Sequence, residues 1–212
     1  MEQYSKEWFA ARMGKLTSST IWNLTIEPKL VKDKGSLSAT TKDYLNGKLA
    51  ERMTGIQRDF KNDATTYGLE MEAEAIIYYE GITGKKVEPT TYIEAIDGLY
   101  GGTPDGLTAT GIVQIKCPYN YTNHLNYGLV GSQEYFKKKY KEYYWQCQSD
   151  MIVSEKEYCD FVSYCPDMPE GLKMFIIRLD RNFEDMTYLL KKIEQAGQYI
   201  NETFEKLKNK WT

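Results

Sequence analysis

One histidine in 212 residues, His124, is the first shortage that narrows the chemistry. A Ser-His-Asp triad or a multi-histidine metal site would have to use it, which argues against both. The four cysteines, Cys117, Cys147, Cys159 and Cys165, form no CxxC pair. That spacing speaks against zinc and iron–sulfur sites and leaves free, mostly buried thiols. No apolar run approaches the roughly 18 residues of a membrane span. The opening "MEQYSKEWFAARMGK" lacks the basic start and apolar run of a signal peptide, so the expected location is the cytoplasm. Basic residues are not in excess either: 27 Lys and Arg stand against 30 Asp and Glu, a net charge of −3 at pH 7. A nucleic-acid partner would then need locally basic surface. Lys137, Lys138, Lys139 and Lys141 form one such run and Lys206, Lys208 and Lys210 another, although solvated faces of helices look the same.

What is present fits a soluble globular chain, 42% hydrophobic and 27% charged, long enough for one domain with a real core or for a domain with an N-terminal helical extension. Residues 5–13 read as a short helix capped by Ser5, and Ser18 or Ser19 as the cap of another ending near Leu24. The Lys-, Gly- and Ser-rich stretch 26–40 reads as an exposed loop, and 41–53 as a helix ending before Gly55. Ala64, Tyr67, Met71, Ala75 and Tyr78 or Tyr79 recur at helical spacing and predict a helix over 64–80. After Gly84, Lys86–Ile96, Gly98–Gly102 and Ile112–Cys117 read as strands. "YNYTNHLNYGLVGSQ" reads as a loop or short helix, with His124 an ordinary loop residue, and 134–153 as one helix. Strands are expected at 157–165 and 172–179, followed by a helix over 182–210 with Met186, Leu189, Ile193, Ile200, Phe204 and Leu207 on one side. This order implies a mixed α/β domain, with length in the last helix for packing on a second subunit.

The stretch "GGTPDGLTATGIVQIKCP" concentrates the chemistry. A turn centred between Ala109 and Thr110 sets Asp105 opposite Gln114, since both are equidistant from that centre. Alternation along the strand then puts Gln114 and Lys116 on one face and Val113 and Ile115 on the other. Asp105, Gln114 and Lys116 converge if no bulge intervenes. Pro104 and Gly106 flank Asp105 and restrict where its carboxylate points. An arbitrary hairpin with such alternation would more often be a solvent-facing sheet. A lysine two residues from a metal-binding position, however, can orient or deprotonate a water, or balance a phosphate.

With that, "TPDG…QIKCP" resembles the PD-(D/E)XK nuclease signature, Pro-Asp, a spacer, then acid-x-Lys. The chain is similar to the phage-type exonucleases of that superfamily, the YqaJ-like viral recombinases that include phage lambda exonuclease. "SKEWFAARMGKLTSS" resembles the family's opening, an Arg and, seven residues later, a Ser, matched by Arg12 and Ser19. "YGLEMEAEAIIYYEGITG" resembles its G-x-x-x-E helix, with Glu72 as the acid, and "YYWQCQSDMIVS" its Q-x-Q helix, with Gln146 and Gln148. The matches run in order over residues 5–154.

The resemblance implies an α/β PD-(D/E)XK restriction-endonuclease-like core, a mixed central sheet flanked by helices, with N-terminal helices and a long C-terminal helix, as a single domain over 1–212. It implies Mg²⁺, with Mn²⁺ as a substitute, held by Asp105, Glu72, the Ile115 carbonyl and position 114. Lys116 would position or activate the attacking water, and Gln146 would orient the water or a ligand. Arg12 and Ser19 would anchor a 5′-terminal phosphate, and Gln148 would join them in binding DNA. The implied activity is 5′-to-3′ digestion of one strand at double-stranded DNA ends, leaving 3′ overhangs for a single-strand annealing protein. Relatives form a ring of three, and a phage or prophage enzyme would act in the bacterial cytoplasm. The departure is Gln114, where the family expects an acid: an amide keeps the shape and loses the charge. A DNA-end-binding module with impaired cleavage, or a restriction-type endonuclease on the same core, are the alternatives.

Overall fold

The structure, a computed structural model, describes residues 3–57 and 63–211, apart from the side chains at 31, 63–66 and 69. In chain order the elements are α1 (Lys6–Arg12), β1 (Leu16–Thr17), 3₁₀ turns at Ser18–Thr25 and Val31–Asp33, α2 (Ala39–Thr54), α3 (Asp63–Thr83), β2 (Ile93–Ile96), β3 (Tyr100–Gly102), β4 (Gly106–Leu107) and β5 (Gly111–Lys116). Next come α4 (Tyr121–Gly128), α5 (Gln133–Lys139), α6 (Lys141–Ser154), β6 (Tyr158–Tyr164), β7 (Met174–Asp180) and α7 (Phe183–Trp211). Contacts divide the chain into two compact units. The first holds Met1–Arg58, Thr91–Thr103 and Asn182–Thr212, and the second Asp59–Thr90 and Pro104–Arg181.

In the first unit, β3 lies between β1, parallel to it, and β2, antiparallel with an irregularity between Glu94 and Ile96. Ser5 caps α1 by accepting from the Trp8 N–H at 3.1 Å, as its sequence position predicts. Ser18 and Ser19 are not caps but the first residues of the 3₁₀ turn, whose N-cap position is held by Thr17 with no capping bond from its side chain to a backbone N–H. Helix α2 starts at the Ser38 cap and stops at Gly55, whose φ of 65° is left-handed. Along α7, Met186, Leu189, Ile193, Ala196 and Ile200 are buried, whereas Phe204 and Leu207 remain exposed. The apolar stripe thus outruns the core by two turns. Lys192 is also buried, donating to the Gly35 and Ser36 carbonyls at 3.1 Å each.

The second unit is a four-stranded sheet in the order β4-β5-β6-β7, with β5 and β6 parallel and the outer pairs antiparallel. On one face Ala75 and Tyr79 of α3 pack with Val113, Ile115, Val162, Tyr164 and Met174; the side chain of Ala64, in the predicted helical stripe, lies outside the described residues. On the other, Phe161 packs against Phe136 and Tyr127, ring centroids 4.8 and 5.3 Å away. Three sequence expectations change here. Of Lys86–Ile96 only Ile93–Ile96 is a strand; Glu88 makes a single bridge to Leu107, and Pro89 next to it has no N–H to extend a ladder. The helix expected over 134–153 is two, broken at Tyr140 (φ −120°, ψ 51°). His124 is a fully buried residue of α4 rather than a loop residue. All four cysteines are free and buried.

Candidate active site

The hairpin forms in the expected register: Gly106 pairs with Val113 and Leu107 with Ile112. One step beyond, Asp105 meets Gln114. Asp105 Oδ2 accepts from the Ile115 N–H at 2.6 Å and from Gln114 Nε2. A carboxylate can only accept, so the amide turns its NH₂ to Asp105 and its oxygen away. That oxygen accepts from Gln146 Nε2 of α6 at 2.9 Å. Asp105, Gln114 and Gln146 therefore form one chain, with Gln114 buried at its middle. The N–H and C=O of a strand residue leave on the same side, so the Ile115 carbonyl faces the Asp105 edge as its N–H does.

Two acids share this place. The Glu72 carboxyl is pushed up to about 7, first by loss of hydration and next by the Asp105 carboxylate, against the pull of Lys116. Asp105 also sits above its ordinary value, driven by burial, while the Lys116 ammonium, the Ile115 N–H and the Gln114 amide pull it back. Glu72 on α3, Asp105 and Lys116 thus act on one another. The Lys116 ammonium stands 5.4 Å from the centre of the Tyr143 ring, a cation–π neighbour that sequence spacing did not point to. Lys116 pairs across the sheet with Ser163, whose hydroxyl lies 2.8 Å from His124 Nδ1. His124 Nε2 lies 2.8 Å from the Leu172 carbonyl. A carbonyl only accepts, so Nε2 donates to Leu172, and Nδ1 and the Ser163 hydroxyl share the other hydrogen bond.

The donors available to a cation are all oxygen: Asp105, Glu72, the Ile115 carbonyl and, on rotation, the Gln114 amide. Two carboxyls whose ionisation burial suppresses are what a divalent cation would relieve, and Mg²⁺ commonly uses one or two carboxylates with waters and phosphate oxygens. The set fits such an ion with one acid fewer than the family pattern. The described residues contain no group of three His, Cys, Asp or Glu placed to hold a metal.

Gln148 does not join this group. It is fully buried and donates to the Asp180 carbonyl at 2.9 Å. Residues two apart on a helix point about 200° from each other, so the Q-x-Q pattern sends Gln146 to the site and Gln148 to β7. Arg12 and Ser19 belong to the first unit. Arg12 ends α1 with its guanidinium carbon 3.7 Å above the Trp8 ring. Ser19 is exposed, its hydroxyl 3.4 Å from that of Thr17. Thr17 reaches Thr20 at 3.2 Å, and Thr20 reaches the Tyr44 phenol at 2.9 Å. Arg12's charge acts on that phenol. This hydroxyl chain was invisible in sequence, because Tyr44 lies on another helix.

The sheet flanked by helices, with an aspartate before β4 and a lysine ending β5, defines a PD-(D/E)XK nuclease fold. Within that class the chain belongs to the YqaJ-like viral recombinase domain family, whose model matches residues 7–157. The alkaline exonuclease LHK-Exo of Laribacter hongkongensis is 30% identical over 97% of this chain and 97% of its own, with a TM-score of 0.79. The same enzyme in complex with dAMP gives 0.81 at the same identity and coverage. A phage-related exonuclease of Haemophilus somnus 129PT shares the fold at 18% identity, covering 91% of this chain and 96% of its own, with a TM-score of 0.77. No curated protein matches the chain.

Proposed function

We propose that residues 1–212 act as one Mg²⁺-dependent deoxyribonuclease domain that degrades one strand of duplex DNA from its 5′ end. The observation that carries this reading is the meeting of Asp105, Glu72 and Lys116 with the Gln114–Gln146 pair at one sheet edge. A family resemblance at 30% identity over nearly the whole of an alkaline exonuclease supports it.

Asp105, Glu72, the Ile115 carbonyl and Gln114 would hold the ion. When bound, it supplies charge stabilisation at the phosphate and lowers the pKa of a coordinated water. Lys116 holds its ammonium beside the two carboxyls, where it orients the attacking water and offsets the charge growing on phosphorus-bound oxygens. Gln146 fixes Gln114 through its amide. Arg12 and Ser19 anchor the 5′-terminal phosphate: a guanidinium fork takes two oxygens and a hydroxyl a third. The family resemblance adds 3′ overhangs handed to a single-strand annealing protein, a ring of three subunits, and a bacterial cytoplasm entered with a phage or prophage. No helix among the described residues is long and apolar enough to cross a membrane.

Linear duplex carrying 5′ phosphates tests the reading. Mg²⁺ or Mn²⁺ should release mononucleotides and leave 3′ overhangs, while covalently closed circles stay intact; cutting of circles would make the protein an endonuclease. One observation favours a second reading. Gln114 turns an N–H toward Asp105 where the family presents a carboxylate oxygen, as suits a DNA-end-binding module with weak cleavage. A large rate gain in Gln114→Glu selects that reading, and equal rates select the active enzyme.

A further inference from the structure

The cluster around Arg12 and Ser19 holds one atom with nothing to bond. The Tyr92 hydroxyl is buried and has no hydrogen-bond partner among the described residues; the residue is 9% exposed. A buried phenol nearly always finds a partner, because leaving its O–H unmet forfeits the hydration it had in the unfolded chain. The ring lies against Gly101. A Cβ placed there would lie 2.4 Å from the Ile93 carbonyl oxygen and 2.6 Å from the Tyr92 hydroxyl and ring carbon Cζ. Gly101 pairs with Thr17 across β1 and β3, and paired residues present their side chains on one face. The phenol therefore ends on the face that carries Thr17, whose hydroxyl reaches Ser19 and Thr20. Two residues past Gly101, Thr103 accepts the Trp8 indole N–H at 3.3 Å, and Arg12 stacks on that same indole.

We propose that Tyr92 is a third donor in the terminal-phosphate anchor: its hydroxyl bonds a phosphate oxygen already held by Arg12 and Ser19, and the bare backbone at Gly101 leaves the phenol its place. This rests on the anchor role proposed for Arg12 and Ser19. A phosphate monoester offers three oxygens and up to two charges. One guanidinium and one hydroxyl leave acceptor sites unmet, and a dehydrated phenol beside a cation fills one at no cost in reorganisation. Burial pushes the Tyr92 phenol up, with Glu94 adding to this and Arg12 opposing. The group therefore stays protonated, and a donor, through neutral and alkaline pH.

The test is binding of blunt duplexes with 5′-phosphate or 5′-hydroxyl ends, followed by fluorescence anisotropy in EDTA so that nothing is cut. Tyr92→Phe removes one oxygen and keeps the ring. We expect it to lower the preference for phosphorylated ends about tenfold or more, the loss typical of a hydrogen bond to a charged group, with affinity for hydroxyl ends unchanged. Inorganic phosphate should also raise the melting temperature of the wild type more than that of Tyr92→Phe. An unchanged preference in Tyr92→Phe, where Arg12→Ala abolishes it, overturns the role of Tyr92 and leaves the anchor standing. A wild type indifferent to the end, or an Arg12→Ala variant that keeps the preference, overturns the anchor and Tyr92 with it.

Discussion

Gln114 satisfies two neighbours with opposite demands. Its NH₂ meets an acceptor, Asp105, and its oxygen meets a donor, Gln146. Glutamate would keep the second contact and lose the first, and would add a third carboxyl to a place where burial already raises two. Without a cation, Gln114→Glu should therefore lower stability by about 1–3 kcal/mol, the range for a buried polar group robbed of its partner. Thermal unfolding in EDTA measures this. Mn²⁺ should then raise the melting temperature of the variant more than that of the wild type, since a third anionic ligand tightens the site. Lys116→Ala should cut the cleavage rate by about 10²–10⁴-fold with duplex affinity preserved, read by single-turnover digestion beside anisotropy. Equal loss of both would make Lys116 a contact for the DNA rather than a participant in the chemistry. At this scale the sequence was legible where geometry is local. The register that joins Asp105 to Gln114 comes from the turn alone. The split of Gln146 from Gln148 was not read there, since the Q-x-Q pattern assigned both to the site; helical angle separates them only once the strands on either side of α6 are known. Tyr143 below Lys116 and Tyr92 against Gly101 needed tertiary structure, because no spacing rule links positions on different elements.

Between elements, Asp160 ties three together. This β6 carboxylate, almost wholly buried, accepts from Tyr79 of α3 at 2.6 Å, from Lys85 at 2.8 Å and from Arg178 of β7. Loss of hydration alone would lift its pKa, but the bonds from Arg178, Lys85 and Tyr79 outweigh this and hold it below the usual carboxylate range. A depressed pKa means that folding strengthens the ionised form. The contribution is complete above about pH 4, the unfolded value, and is lost as pH falls through the lower folded value. Asp160→Asn should cost about 2 kcal/mol at neutral pH, below the roughly 3–5 kcal/mol of a fully buried broken pair because Arg178 and Lys85 keep water contact. The variant should also show a shallower fall in stability on acidification, measured by urea unfolding from pH 7 to pH 3. Long elements were readable: α2, α3, α7 and the β6–β7 hairpin carry period, cap or turn signals over many residues. Short ones were not. Strand β4 is two residues with no pattern of its own, and the break at Tyr140 has neither glycine nor proline to announce it; Tyr140 leaves the helix with its ring packed on Phe136 and Tyr127.

For the molecule as a whole, the puzzle is a polyanionic substrate on a chain of net charge −3. A single subunit gains little long-range attraction from that total. Lysines at the end of α5 gather locally, Lys137 over Tyr144 and Trp145, and Lys139 over Tyr135 and Tyr140. Cations laid on rings keep their charge while losing some of the freedom to follow solvent. A ring of three would set three such basic surfaces around one duplex and leave the acidic remainder outside. Sedimentation should then give three times the 24.6 kDa chain mass. Digestion of a long duplex should also continue after an excess of unlabelled ends is added as a trap, since an enclosing ring cannot leave mid-strand. A monomer by mass whose cleavage stops at the trap would place the capacity for end digestion in the single chain. The acidic total would then show in the salt dependence: affinity for duplex should fall only gently between low and moderate salt, because few phosphates are neutralised per subunit.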